Sequence, residues 1–190
     1  MWRETTKHQR NRIIFKEELD SFLPSRILDF HVHVWNEGVF PEGRTFQSGG
    51  PEIASYTFKE LDKDLGECFP GRETFALCFG LPAIDGDHRR NNEYIANGCD
   101  NETFFGLRLL DPWRDDAESV RRDLEGGRLL GVKPYPVYPR KTDEATVEIP
   151  EMLPDWAMEV VNEFGGLVML HIPRPGRLAD PVNQRQLVEL

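Results

Sequence analysis

Three histidines carry the most chemistry in this sequence: His31 and His33, two residues apart, and His171 far downstream. Neutral imidazole nitrogens are common ligands for zinc and related divalent ions. A His-x-His pair can aim both rings at one point if it lies on a strand, because alternate side chains share a face. The stretch Arg26-Ile27-Leu28-Asp29-Phe30-His31-Val32-His33-Val34-Trp35 reads as such a strand. It is rich in β-branched and aromatic residues and follows Pro24. Ile27, Asp29, His31 and His33 are then expected on one face, and Leu28, Phe30, Val32 and Val34 on the other. The plainer alternative is a pair of hydrogen-bonded histidines in an apolar wall. It is the weaker reading for paired histidines preceded by an inward Asp.

A second apolar stretch, Leu167-Val168-Met169-Leu170-His171, also ends in a histidine, with Leu167, Met169 and His171 on one face. Active sites of α/β barrels lie at the carboxyl ends of their strands. Three imidazoles from two strand ends could therefore hold one divalent metal, with His31, His33 and His171 as ligands. Two cations bear on the same region. If Leu107 and Leu109 face outward, Gly106, Arg108 and Leu110 face inward; Gly131, Lys133 and Tyr135 likewise share one face. A charged side chain inside a barrel needs a partner. For Lys133 that partner is a carboxylate such as Asp29 or an anionic substrate, and either residue could act in catalysis. For Arg108 a structural salt bridge stands beside substrate contact. Trp35 and Arg174 fall near the expected mouth, where rim packing and substrate contact are both open. His88, in an Asp-Gly-Asp-His loop, and His8, in the polar N-terminal arm, read as solvated.

The rest of the chain supplies elements to position these residues. Residues 1–12 are polar and read as a loose arm, followed by a short amphipathic helix with Ile14, Phe15, Leu19, Phe22 and Leu23 up to Pro24. A long Gly-, Pro- and Ser-containing loop runs from Asn36 to Tyr56. Thr57-Phe58-Lys59-Glu60 is a capping box that starts a helix carrying Phe58, Leu61 and Leu65. The second strand is Thr74 to Gly80, with small Ala76, Cys78 and Gly80 expected on a crowded inner face and Phe75, Leu77 and Phe79 under helices. A helix at about Asn91 to Asn97 leads to the third strand, Phe104 to Leu110. Asp111-Pro112 looks like the cap of the helix striped by Ala117, Val120 and Leu124. Leu129 to Lys133 is the fourth strand; a helix with Trp156, Val160, Val161 and Phe164 precedes the fifth. Asp180-Pro181 caps a last helix.

Strands and helices thus alternate, as in a parallel sheet with right-handed crossovers. An open doubly wound sheet and part of an eight-stranded barrel both fit. No G-x-G-x-x-G and no P-loop follows a strand, so nothing supports nucleotide binding. The 190 residues carry a net charge of −10, which argues against a nucleic-acid or anionic-membrane surface. No apolar run approaches the ~20 residues of a membrane span, and no signal peptide is visible. Cys68, Cys78 and Cys99 are scattered, as expected for reduced thiols in a cytoplasmic protein.

Asp29-x-His31-x-His33 after an apolar strand resembles the opening motif of the amidohydrolase superfamily. Gly131-Val132-Lys133-Pro134, the strand ending in His171, and Leu109-Leu110-Asp111-Pro112 after an Asn-rich helix resemble its amidohydrolase-related branch. The likeness runs over residues 26–190, with 1–25 as an arm and short helix. It implies a distorted (β/α)8 TIM-type barrel, of which about strands 1–5 are present. It also implies a divalent metal, zinc first, with manganese or iron as alternatives. The metal ligands would be His31, His33 and His171, with Lys133 and Asp29 as catalytic candidates and Arg108, Trp35 and Arg174 as substrate-binding ones. In binuclear relatives a lysine is carboxylated and bridges two metals, a further role for Lys133. The implied activity is hydrolysis of an amide or ester bond of a small molecule, which could be a carboxylate, by metal-activated water. Non-oxidative decarboxylation is the alternative within the branch, and a non-catalytic half-barrel binding a metal or a partner is the alternative outside it. The family's further metal ligands come after strands six and eight. Residues 1–190 therefore read as an N-terminal part, inactive alone and able to homo-oligomerise through its open edge.

Overall fold

The structure is a computed structural model that describes residues 6–47, 50, 52–141 and 143–190. Residues 1–5 of the expected arm and the His8 side chain lie outside the described residues. From Thr6 the arm is helical: α1 (Thr6–Ile14) runs into one π-helical turn, Phe15–Leu19, which buries Phe15. The expected loose segment therefore begins its helix earlier than the apolar spacing suggests.

Five strands follow: β1 (Arg26–His33), β2 (Glu73–Phe79), β3 (Phe104–Leu110), β4 (Leu129–Pro134) and β5 (Leu167–Val168). They pair in the order β1-β2-β3-β4-β5, all parallel, as a curled half-barrel sheet. The fold class is α/β. Between the strands lie α2 (Phe58–Cys68), α3 (His88–Gly98), α4 (Ala117–Glu125), α5 (Ile149–Met152) and α6 (Asp155–Glu163); α7 (Pro181–Glu189) closes the described chain. β5 is shorter than the apolar run Leu167–His171; beyond Val168 only the Met169 N–H extends the ladder, to Val132 O at 3.1 Å.

Several local signals form as the residue chemistry dictates. Thr57 and Glu60 exchange side-chain-to-backbone bonds at the start of α2. Asp180 accepts from the Val182 and Asn183 N–H groups at the start of α7, with Pro181 in the first turn. The Asp111-Pro112 expectation is corrected. Asp116 caps α4, in a box with Ser119, and Asp111 instead accepts from Trp113 N–H in the preceding turn.

The two sheet faces are the reverse of the expectation for β2 and β3. Ala76, Cys78, Leu110 and Val132 pack under the helices with Ile95, Cys99, Val120 and Leu124. Leu77, Phe79 and Leu107 form the inner cluster with Phe105, Leu130 and Met169. Close-packed helices demand small strand residues on their side, and an open concave face takes the aromatic ones.

Two bulges then set which residues reach the inner face. Between Asp29 and Val32 the register slips against β2, so Asp29 aligns with Ala76 while His33 aligns with Phe79. A second slip puts an extra β4 residue between the partners of Gly106 and Arg108. Gly131 occupies it, at φ +157°, and a Cβ there would lie 1.9 Å from Leu167 O. Leu130 and Lys133, three residues apart, consequently both face inward.

Candidate functional site

The two strand ends meet around Tyr135, just past β4. His33 hydrogen-bonds the Gly80 carbonyl through Nδ1 at 2.8 Å, so Nδ1 carries the proton. That leaves an Nε2 lone pair, to which the Tyr135 hydroxyl donates at 3.0 Å. Burial first, and then the nearby His31, Lys133 and His171, bring the His33 pKa down to about 4, against the Gly80 bond that raises it. The His31 ring lies 5.4 Å from the His33 ring and 4.9 Å from Phe79; it is lowered by burial and Lys133. The His171 ring stands 5.1 Å from Tyr135, and burial, Lys133, Arg177 and His31 lower its pKa to about 4. All three imidazoles are thus held neutral at pH 7, the form that ligates metals.

Lys133 is 1 % exposed. Its Nζ lies 4.7 Å from the Tyr135 ring centroid and 5.3 Å from that of Phe79. Burial alone lowers its pKa to about 8. Among the described residues it forms no ion pair with a carboxylate, so the expected Asp29 partner is not there.

Among the described residues no group of three His, Cys, Asp or Glu side chains is gathered tightly enough to hold a metal ion. Two of the ring nitrogens also have protein donors nearby: Tyr135 on His33 Nε2, and Arg177 Nη1 approaching His171 Nε2 at 3.5 Å. The chemistry of the donor set nevertheless fits a divalent ion. The imidazoles are neutral, and the Gly80 carbonyl fixes the His33 tautomer with Nε2 available, as outer-shell carbonyls do at metal sites.

The other expected site residues are not drawn into this cluster. Asp29 is turned by the bulge toward the helix side, beside Cys78, and its Oδ1 accepts the His31 N–H at 3.1 Å. It tethers the bulge rather than facing the rings. Arg108 points to the helix side, opposite to the inward direction expected if Leu107 faced out. It pairs with Asp115 at 2.7 Å and Asp123 at 2.8 Å, both from the α4 region. Trp35 is buried in a cluster with Val39 and Phe40; its Nε1 donates to Ala54 O, tying down the 36–56 loop. Arg174 is paired with Asp180 at 3.1 Å.

Three residues carry more than the sequence suggested. The Tyr135 hydroxyl and Arg177 touch the histidines directly. His88 is buried, not solvated: it opens α3, and its Nε2 lies 3.0 Å from Asp115 Oδ2. Burial alone would raise the Asp115 carboxyl; the Arg108 and His88 hydrogen bonds reverse that and hold it well below the usual carboxylate range. A cavity of about 510 Å³ lined in part by His88, Arg108 and Asp115 opens on this helix side, away from the three histidines. The Asp87 N-cap signal, with Asn91 and Asn92 four and five residues on, is the hint in the sequence.

No protein-family model matches the chain, and no curated protein matches its sequence. Among the described residues no helix is long and apolar enough to cross a membrane.

Proposed function

We propose that this chain forms the N-terminal part of a divalent-metal-dependent barrel hydrolase that cleaves an amide or ester bond of a small molecule. The observation that supports it best is the set of three neutral imidazoles, with the His33 tautomer fixed by Gly80, beside the buried amine of Lys133. His31, His33 and His171 would hold the ion, zinc first. A bound ion would supply Lewis acidity, which polarises a carbonyl and acidifies water. The chain's own residues set the surroundings. Gly80 orients His33, Asp29 fixes the bulge that aims His31, and Phe79 with Leu77 and Leu107 keeps the inner face apolar. Tyr135 would release His33 Nε2 and offer its hydroxyl to a substrate oxygen.

A second reading is non-oxidative decarboxylation at the same centre. Lys133 favours it: a buried cation with no carboxylate partner among the described residues suits an acid substrate. Turnover of small amides, esters and unsaturated acids by the full-length protein, with and without added Zn²⁺ or Mn²⁺, separates the two. Metal-dependent hydrolysis lost in His171→Ala is the expected result. Hydrolysis that is metal-independent, or that survives His171→Ala, would reject the proposal.

A further inference from the structure

Two cations act on His171, and among the described residues neither is paired with a carboxylate. Lys133 comes from β4 and rests on the Tyr135 ring, which contacts the His171 ring at 5.1 Å. Arg177 comes from the turn after β5, and its Nη1 approaches His171 Nε2 at 3.5 Å. Its Nη1 is anchored on the Ile172 carbonyl at 2.6 Å. Among the described residues neither side chain forms an ion pair, in a chain whose net charge is −10 and whose buried arginine, Arg108, has two carboxylates; Lys133 is buried and Arg177 is exposed at the rim. Acidic partners are abundant and are not used here.

The backbone is also constrained at this turn. Arg174 and Arg177 both sit at positive φ, 62° and 49°, a region costly for residues with a side chain. The two arginines divide the work: Arg174 is spent on Asp180, which caps α7, while Arg177 is turned back to the histidine end. A buried ammonium beside apolar rings is stabilised when a negative charge joins it.

We propose that Lys133 and Arg177 form a two-point clamp for a carboxylate group of the substrate, placed beside His171. The inference rests on the reading of the histidine end as the active site and adds the charge of the substrate. A planar carboxylate fits a point cation on one side and a guanidinium fork on the other. A phosphate would gain no helix N-terminal N–H groups from α7, which Asp180 already caps, so the titration compares the two anions directly.

The test uses the full chain treated with chelator, so that it is independent of metal binding. Benzoate, its neutral isostere benzamide, and inorganic phosphate are titrated and read by calorimetry and by the signals of ¹³C-labelled lysine methylenes. Saturable benzoate binding is expected, tighter than benzamide or phosphate, with affinity falling at least tenfold in Lys133→Met and in Arg177→Gln. Lys133→Arg, which keeps the charge, should retain binding within a few-fold and guards against a folding defect in Lys133→Met. No saturable benzoate binding, benzamide binding as well as benzoate, phosphate binding tighter than benzoate, or affinity unchanged in both neutralised variants would each overturn the clamp. Zinc titrations of the same proteins report on the metal reading separately, so either idea can fail alone.

Discussion

Tyr135 donates its hydroxyl to His33 Nε2 across 3.0 Å, joining residues 102 positions apart in sequence. This bond connects the end of β4 to the end of β1 over the open concave face, and it engages the nitrogen that a metal would use. Tyr135→Phe should cost the apo protein about 0.5–1.5 kcal/mol, the net worth of one hydrogen bond. It should leave zinc affinity unchanged or increased, because a competing donor is gone. Denaturant unfolding and zinc calorimetry on the variant check both signs; zinc affinity falling tenfold or more would make Tyr135 a ligand or ligand support instead.

Gly131 is the second structural requirement. Its Cβ would fall 1.9 Å from Leu167 O, on the backbone of the neighbouring strand. Gly131→Ala should therefore loosen β5 and turn Lys133 away, at a cost of about 2–3 kcal/mol. Hydrogen exchange should show the Met169 amide losing protection while the β1–β2 ladder keeps its own. Unchanged protection at Met169 would mean that the bulge is not required.

Asp115 binds Arg108 and His88 on the helix side, away from the histidine end. Asp115→Ala leaves a buried guanidinium with fewer partners and should destabilise by about 3–5 kcal/mol. Zinc affinity of the folded fraction should not change. Equal loss of stability and of metal binding, measured at temperatures where the variant is folded, would couple the two clusters.

The pH dependence has a defined direction. His33 is lowered to about 4 when folded, from 6.5 as the unperturbed value, mainly by burial. The unfolded chain therefore binds the extra proton first as pH falls. Stability from this group is fully present above pH 6.5 and is lost between 6.5 and about 4, to the extent of about 3 kcal/mol. His171 shifts in the same direction but is more accessible, so it adds less. The depressed Asp115 carboxyl adds a further loss below the normal carboxylate range. Urea midpoints from pH 8 to 4 should fall through the histidine window, and His33→Gln should flatten that part of the curve.

The alternating rhythm, the capping box at Thr57 and the strand-end histidines were legible because each depends on local chemistry. Side-chain alternation was legible only between bulges, and which face points inward was misread for β2 and β3 even where no bulge intervenes. An extra residue at Phe30-His31 turns Asp29 off the face of His33, and one at Gly131 brings Lys133 onto the face of Leu130. Neither leaves a mark in the apolar pattern. Arg108 was misplaced for a related reason: the small residues Ala76, Cys78 and Gly106 look like a crowded barrel interior but make room for helices. Arg177 could not be preferred over Arg174 from sequence, since the choice is made by backbone torsions in a turn rich in proline and glycine.

The central claim is that His31, His33 and His171 act as one metal site. Zinc calorimetry on chelator-treated protein at pH 7.5 tests it most directly. One equivalent should bind, with release of the His33–Tyr135 bond, and His31→Ala, His33→Ala and His171→Ala should each weaken binding by more than the ~10–100-fold that loss of an outer-shell partner costs. Absence of zinc binding by the folded parent protein, or binding that survives all three substitutions, would contradict the account.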